Sequence, residues 1–308
     1  MKSSSNSIEQ KQQTIKLALQ EYLATPELER SLTKIGKKYG VKRQTLSTHL
    51  KKMGYEVINY QNRVRLDETL FDKIDTEEKA YWLGFLYADG CVDSEGNRIE
   101  VHLALKDVEH LEKFRQFLHL ENPIRTGKNK EGNYFCHLSV RNKHMWNSLI
   151  NVGCYPVKSL TLEFPKIEYF ENKNLIKHFL RGYVDGDGCL CTYKATNGSI
   201  RTVLSMVGTE NFLKRVNEIC WNKGRIRNKS SKNWENKAFD LYFSDVPSRR
   251  IARILYENAT IYLERKYNKF LEFCSIEEES SKRKSTKIGE SWDANTEVNS
   301  DSKKSESP

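Results

Sequence analysis

Nowhere in its 308 residues does the chain run eighteen apolar residues together, and only 38% of it is hydrophobic. A membrane-spanning helix needs about twenty, so none is expected. Met1 to Ile15 is polar and lacks the apolar stretch of a secretory signal. No arginine precedes Arg30, and Glu9 interrupts the Ser-rich opening, which speaks against an organelle transit peptide. The expectation is an intracellular protein, cytoplasmic or nucleoid-associated, with an organelle left open. Cysteine is sparse and odd in number: seven residues, with no C-x-x-C pair and no Cys/His spacing of the zinc-binding kind. Neither a zinc site nor a disulfide framework is expected, only reduced core thiols, and Cys189-Leu-Cys191 alternates as a strand would. Acidic charge is in deficit as well. The formal charge is +10, and the last 33 residues hold six Lys/Arg against eight Asp/Glu, so the rest is more basic still. Such a body calls for a polyanionic partner.

Against these absences stands one repetition. Tyr81 to Gly90 reads Tyr-Trp-Leu-Gly-Phe-Leu-Tyr-Ala-Asp-Gly, and Phe179 to Gly188 reads Phe-Leu-Arg-Gly-Tyr-Val-Asp-Gly-Asp-Gly. Each predicts a helix with two small residues four apart, Gly84 with Ala88 and Gly182 with Gly186, a smooth stripe that lets another backbone approach. Packed together, two such helices bring Asp89 and Asp187 side by side at their C-termini, where the macrodipole already disfavours a carboxylate. A hard divalent cation would offset both repulsions. Gly90 and Gly188 are expected to end the helices in the left-handed conformation.

Both stretches resemble the signature of the LAGLIDADG homing endonucleases, over roughly residues 77 to 274. The resemblance implies an α+β fold: a duplicated α-β-β-α-β-β-α unit whose two curved antiparallel sheets occupy the DNA major groove. It implies hydrolysis of phosphodiester bonds in double-stranded DNA, with Mg²⁺ or Mn²⁺ polarising the scissile phosphate and steadying the leaving 3′ oxygen. Asp89 and Asp187, with Gly90 and Gly188, would hold the metal. Lys158 and Lys266 fall where the family carries a basic residue at the rim of the site. One monomeric chain would cut both strands. Tyr87 stands where the second motif has Asp185, and Arg181 stands where the family has a small residue. The halves are therefore unequal and an asymmetric target is expected.

Residues 1–7 are expected to be disordered, and 8–55 to form a helix-turn-helix DNA-binding domain resembling those of site-specific recombinases. Ile15, Leu17, Leu19 and Leu23 mark its first helix. In the pair that follows, Gly36 would let the two helices touch, Gly40 would make the turn, and Ile35, Val41, Leu46 and Leu50 would fill the core. Arg43, Gln44, Ser47 and Thr48 are of the types that read base edges, whereas Lys37, Lys38, Lys51 and Lys52 suit phosphates. Residues 56–76 read as a linker.

Residues 77–165 and 166–275 form the two repeats, and 276–308, rich in Ser, Lys and Glu, reads as a disordered tail. Strands predicted over 97–105, 124–127 and 134–140 carry Arg98 and Arg125 and lead directly into Arg141. Those near 189–193, 201–207, 224–228 and 239–243 carry Tyr193, Arg201, Arg225 and Arg227. These are the expected sheet contacts to DNA. A silent DNA-binding regulator or RNA maturase of the same fold is the competing reading. Degenerate copies tend to lose one acid, and here both are present, which favours the enzyme. An intein-embedded nuclease would need a nucleophilic first residue and a terminal His-Asn pair, whereas the sequence opens on Met1 and closes on Ser307 and Pro308.

Overall fold

The computed structural model describes residues 3–26, 30–55, 66–94, 97–156, 161–229 and 238–278. Lys158, residues 56–65 of the expected linker and the tail from 279 onward lie outside the described residues. The chain divides into two compact units, residues 1–65 and 66–308.

Three helices build the described part of the first unit: α1 (Ser3–Ala24), α2 (Leu32–Tyr39) and α3 (Arg43–Lys52). Over 3–7 helix replaces the expected disorder, because α1 begins at Ser3; the polar Ser/Asn run contains neither Gly nor Pro to stop a helix. Ala18, Leu19 and Tyr22 of α1 meet Leu32, Ile35, Leu46 and Leu50, with Ile15, Leu23 and Val41 at the edge. Leu17, on the opposite side of that stripe, is exposed. Ser31 caps α2 by accepting from the Lys34 amide, and Gly40 ends it at φ 64°, the left-handed conformation a side chain resists. A Cβ on Gly36 would come within 2.5 Å of the Val41 carbonyl oxygen and 3.6 Å of the Arg43 amide nitrogen, so glycine makes room chiefly for the turn that leads into α3.

The second unit opens earlier than expected. Residues 66–76 are not a linker: Leu70, Phe71 and Ile74 are buried, and Ile74 pairs with Phe170 in a parallel bridge. Three apolar residues among acids and lysines look like a tether, yet they anchor this segment to the core. Helix α4 (Glu77–Ala88) follows, capped by Thr76 and with Glu77 and Glu78 favourably placed in its first turn. Every residue from Ala80 to Tyr87 is buried, as befits a helix apolar on all sides.

Next come β1 (Gly90–Val92), β2 (Arg98–Ala104), α5 (Val108–Phe117), β3 (Arg125–Lys128), β4 (Tyr134–Arg141) and α6 (Lys143–Asn151). The second half repeats the order with α7 (Leu175–Asp187), β5 (Gly188–Lys194), β6 (Ile200–Gly208), α8 (Glu210–Ile219), β7 (Arg225–Asn228), β8 (Phe239–Ser244) and α9 (Val246–Tyr256). A tenth helix, α10, spans 264–278. It absorbs residues 276–278 of the expected disordered tail, and Glu277 accepts a hydrogen bond from Arg253 at 2.8 Å.

The two sheets have the same antiparallel order, β1-β2-β4-β3 and β5-β6-β8-β7. In each, one face is buried against helices: Ile99, Val101, Leu103, Cys136, Leu138 and Val140 in the first, Leu190, Leu204, Met206, Leu241 and Phe243 in the second. The alternate residues form a free face, as half-buried antiparallel strands require. The fold is thus α+β with a duplicated α-β-β-α-β-β-α unit. Among the described residues no helix is long and apolar enough to cross a membrane.

Candidate metal and nucleic-acid site

The seam between the repeats is where α4 and α7 run side by side in the same direction. A Cβ on Gly84 would fall on the Phe179 carbonyl oxygen, and one on Gly182 would fall on the Tyr81 carbonyl oxygen. Further along, a Cβ on Gly186 would collide with that of Ala88 and stand 3.4 Å from the Asp89 carboxyl carbon. Small residues thus let the two backbones touch along the stripe read from the sequence.

That approach brings Asp89, the C-cap of α4, beside the end of α7, whose last residue is Asp187. Asp89 is half-buried and Asp187 exposed. Both carboxylates act on one hydroxyl: burial first, then Asp187 and Asp89, push the Tyr183 phenol well above its ordinary range. The end of the seam is therefore strongly negative, at two helix C-termini that add to the same potential. Its donors are hard oxygens, which fit a divalent cation of the Mg²⁺ or Mn²⁺ type.

Gly90 and Gly188 do not end their helices as expected. Neither has positive φ, and Gly188 is extended at φ −97°, ψ 171°. The reason for glycine is proximity: a Cβ would lie 2.6 Å from the Leu86 carbonyl at Gly90 and 2.5 Å from the Val184 carbonyl at Gly188. Each strand leaves its helix so sharply that only a hydrogen fits.

Lys266, on α10, is buried and donates from Nζ to the Gly188 carbonyl oxygen. Burial and then Arg265 pull its ammonium below the ordinary lysine range, while Asp185, Cys189 and Asp89 pull the other way. Lys266 is thus a buried lysine within the field of Asp89.

The motif's departures hold the seam together. Asp185, where the first motif has Tyr87, is buried and accepts three hydrogen bonds: from Tyr256 (2.6 Å), Tyr81 (2.7 Å) and the Leu263 amide (2.7 Å). Arg181, in the first motif's Leu83 position, reaches Glu77 of α4 at 2.7 Å and the carbonyls of Leu255 and Ile261 at 2.8 Å. Tyr87 packs edge-on against Phe179 and donates to the Val152 carbonyl at 2.5 Å. Nothing in the motifs marks Tyr256 or the 257–263 segment, yet these residues lead to Lys266. Their partners lie more than seventy residues away in sequence.

Burial pushes the Asp185 carboxyl up to about 6, against the pull of Tyr256, Tyr81, the Leu263 amide and Lys266. The folded value exceeds the ordinary 3.8, so folding takes up a proton between the two. The stability this group lends is therefore full below 3.8 and lost as the pH rises through about 6. The infrared difference between wild type and Asp185→Asn should show a protonated carboxyl band near pH 5 that disappears by about pH 7.5. A difference spectrum with no such band near pH 5 would refute the raised pKa.

Strand register puts all seven predicted sheet contacts on the free faces. Arg98 faces Arg141 across β2 and β4, and Arg125 faces His137. In the second sheet Tyr193 faces Arg201, Arg225 faces Tyr242, and Arg227 faces Asp240. Three of the arginines are engaged: Arg98 with Asp93 at 3.1 Å, Arg201 with Asp245 at 2.7 Å, and Arg227 with Asp240 at 3.4 Å. Among the described residues Arg125, Arg141 and Arg225 have no carboxylate partner. In the first unit Arg43, Gln44, Thr48 and Lys51 are exposed on α3 and Ser47 is half-buried. Lys38 is tied to Glu21 of α1 at 2.6 Å, which the sequence did not reveal.

No protein-family profile matches the chain. An uncharacterized protein of Methanocaldococcus jannaschii is 22% identical over 151 residues, 47% of this chain and 52% of the relative. The chain thus spans about half the length of that curated relative. Among solved structures it is similar to the LAGLIDADG homing endonuclease I-GzeII in complex with its DNA target. There the TM-score is 0.47 and the identity 14%, covering 73% of this chain and 99% of that one. The LAGLIDADG meganuclease I-AabMI bound to uncleaved DNA gives a TM-score of 0.47 at 14% identity, over 66% and 91% of the two chains. I-LtrWI, a LAGLIDADG homing endonuclease bound to target DNA, gives 0.44 at 14%, over 68% and 92%.

Proposed function

We propose that this chain is a site-specific, metal-dependent double-strand DNA endonuclease of the LAGLIDADG homing type, acting as a monomer. One observation carries the reading: Asp89 and Asp187 stand at the C-terminal ends of two touching helices, where both carboxylates act on the Tyr183 hydroxyl, a placement that folding alone disfavours. Mg²⁺ or Mn²⁺ bound there would polarise the scissile phosphate and acidify the attacking water. Asp89 and Asp187 hold the cation, and their like charge is offset by it. Lys266, fixed to the Gly188 carbonyl, contributes positive charge toward the phosphate as negative charge develops. Lys158 is the proposed counterpart in the first repeat.

The free faces of the two sheets carry Arg98, Arg125, Arg141, Tyr193, Arg201, Arg225 and Arg227 toward the duplex. The sheets differ in side chains, so the target is asymmetric. Residues 8–55 form a separate DNA-binding domain that presents α3 to the major groove, with Arg43, Gln44, Ser47 and Thr48 toward bases and Lys51 toward phosphate.

The test is to incubate the full chain with a randomised duplex library and Mg²⁺. Double-strand cuts at one long site, stopped by chelation, are the expected result. Specific retention of one sequence without a cut in Mg²⁺ or Mn²⁺ would overturn the enzyme reading and leave a DNA-binding regulator. The first unit is tested apart from the chemistry. Lys37→Ala with Lys51→Ala should flatten the plot of log affinity against log salt by about 2 while sparing the cut position. An unchanged salt slope would remove that unit from the DNA interface.

A further inference from the structure

The spacing of cysteines and histidines in the sequence predicts no zinc site, but cross-strand pairing builds a different donor set. On the free face of the first sheet His102 of β2 lies directly opposite His137 of β4, with Glu100 two residues before His102 on the same face. The two imidazoles stack with centroids 4.4 Å apart. Glu100 reaches both from beside the stack, its Oε1 3.6 Å from His137 Nε2 and its Oε2 3.9 Å from His102 Nε2. One donor atom from each of the three side chains lies within 4.8 Å of the others.

We propose that Glu100, His102 and His137 form a second metal site, for a borderline divalent cation of the Zn²⁺ class. Donors bound to one tetrahedral Zn²⁺ at about 2.0–2.1 Å stand roughly 3.4 Å apart, so the donor separations are near those of a bound ion, and turning the two stacked rings out of parallel would aim their nitrogens at it. Two imidazoles and one carboxylate are nitrogen-rich and suit Zn²⁺, Co²⁺ or Ni²⁺, whereas the all-oxygen pair Asp89 and Asp187 suits Mg²⁺. Glu100 and His137 are mostly covered and His102 is half-exposed, which fixes two ligands and leaves an entry path. Three protein ligands leave the fourth position open on the free face. The ion ties β2 to β4 through side chains. It also exceeds the single negative charge of Glu100, so this part of the face becomes cationic. Arg98, 3.4 Å from Glu100 Oε1, is the one cation that shares the carboxylate among the described residues.

The experiment is a titration of the reduced full chain with Co²⁺, followed in the visible region, and then displacement by Zn²⁺. One equivalent with tetrahedral d–d bands and no thiolate-to-cobalt band is expected, unaffected by excess Mg²⁺. His102→Ala and His137→Ala should each weaken binding roughly 100-fold or more, and Glu100→Gln about 10-fold. Asp89→Asn should leave it unchanged. Should His137→Ala fail to fold, the half-exposed His102→Ala decides alone. Three results would overturn the site: no stoichiometric binding, binding that persists in the His102→Ala variant, or a thiolate band placing the ion on cysteine.

Discussion

Gly84→Ala is expected to destabilise the second unit by about 3 kcal/mol, one of the larger effects available to a single methyl. The added Cβ lands on the Phe179 carbonyl oxygen and within 3.0 Å of the Tyr183 amide nitrogen. Both are backbone atoms of a buried helix and cannot turn aside as a side chain would. The helices must separate, and the aromatic packing behind them loosens: Trp82, Phe85, Phe114 and Phe117 on one side, Phe179, Tyr183 and Phe212 on the other. Gly182→Ala should match it, since the Tyr81 carbonyl stands in the way. Gly198→Ala is the comparison. That residue sits at φ +80° with no atom within 4 Å of a Cβ, so only the conformational cost of about 1 kcal/mol applies. The tryptophans of the described residues, Trp82, Trp146 and Trp221, all lie in the second unit, so the change of fluorescence in urea follows it. Equal midpoints for Gly84→Ala and Gly198→Ala would dismiss close helix contact as the reason for glycine.

Asp89→Asn and Asp187→Asn should each lower the rate of cutting on one DNA strand by roughly 10³-fold, about 4 kcal/mol of transition-state stabilisation. The amide preserves shape but removes the charge that holds the cation. Single variants are expected to nick, because the opposite half keeps its own acid, and the double variant should bind its site and cut neither strand. Binding must be measured alongside, and it should hold steady or tighten slightly as repulsion toward phosphate falls. Normal cutting by either single variant would remove that acid from the chemistry and leave its placement at the helix end unexplained.

Much of this architecture is written locally. The two signature helices follow from apolar runs ending in acid and glycine, and the strands follow from alternation, as in Ile99, Val101 and Leu103. Three-residue β1 escapes such a pattern because it is too short to show a period. The 66–76 segment escapes because Leu70, Phe71 and Ile74 are scattered among charged residues and their burial depends on a partner near Phe170. The placement of Asp89 and Asp187 at two helix ends was legible because the motif repeats; Lys266 was singled out only through the resemblance. The links of Asp185 to Tyr256 and Leu263 were hidden, since hydrogen bonds across seventy or more residues leave no periodic trace. For the same reason the meeting of Glu100, His102 and His137 emerges only when β2 is set beside β4. The glycines at 90 and 188 were found for a mistaken cause: composition shows where a side chain is forbidden, but not whether dihedral angle or crowding forbids it.

Arg181 and Asp185 have a consequence for the ancestry of the molecule. Both belong to the second repeat, and each reaches across the seam to a group on α4, Arg181 to Glu77 and Asp185 to the Tyr81 hydroxyl. The first repeat offers Leu83 and Tyr87 at the corresponding places, so there is no reciprocal pair. Two copies of the second repeat facing each other would confine two guanidinium groups and two carboxyls without these partners, and two copies of the first would have no cation to meet Glu77. The halves have become lock and key: related by duplication, no longer interchangeable, and committed to a mixed pairing that their covalent connection makes permanent.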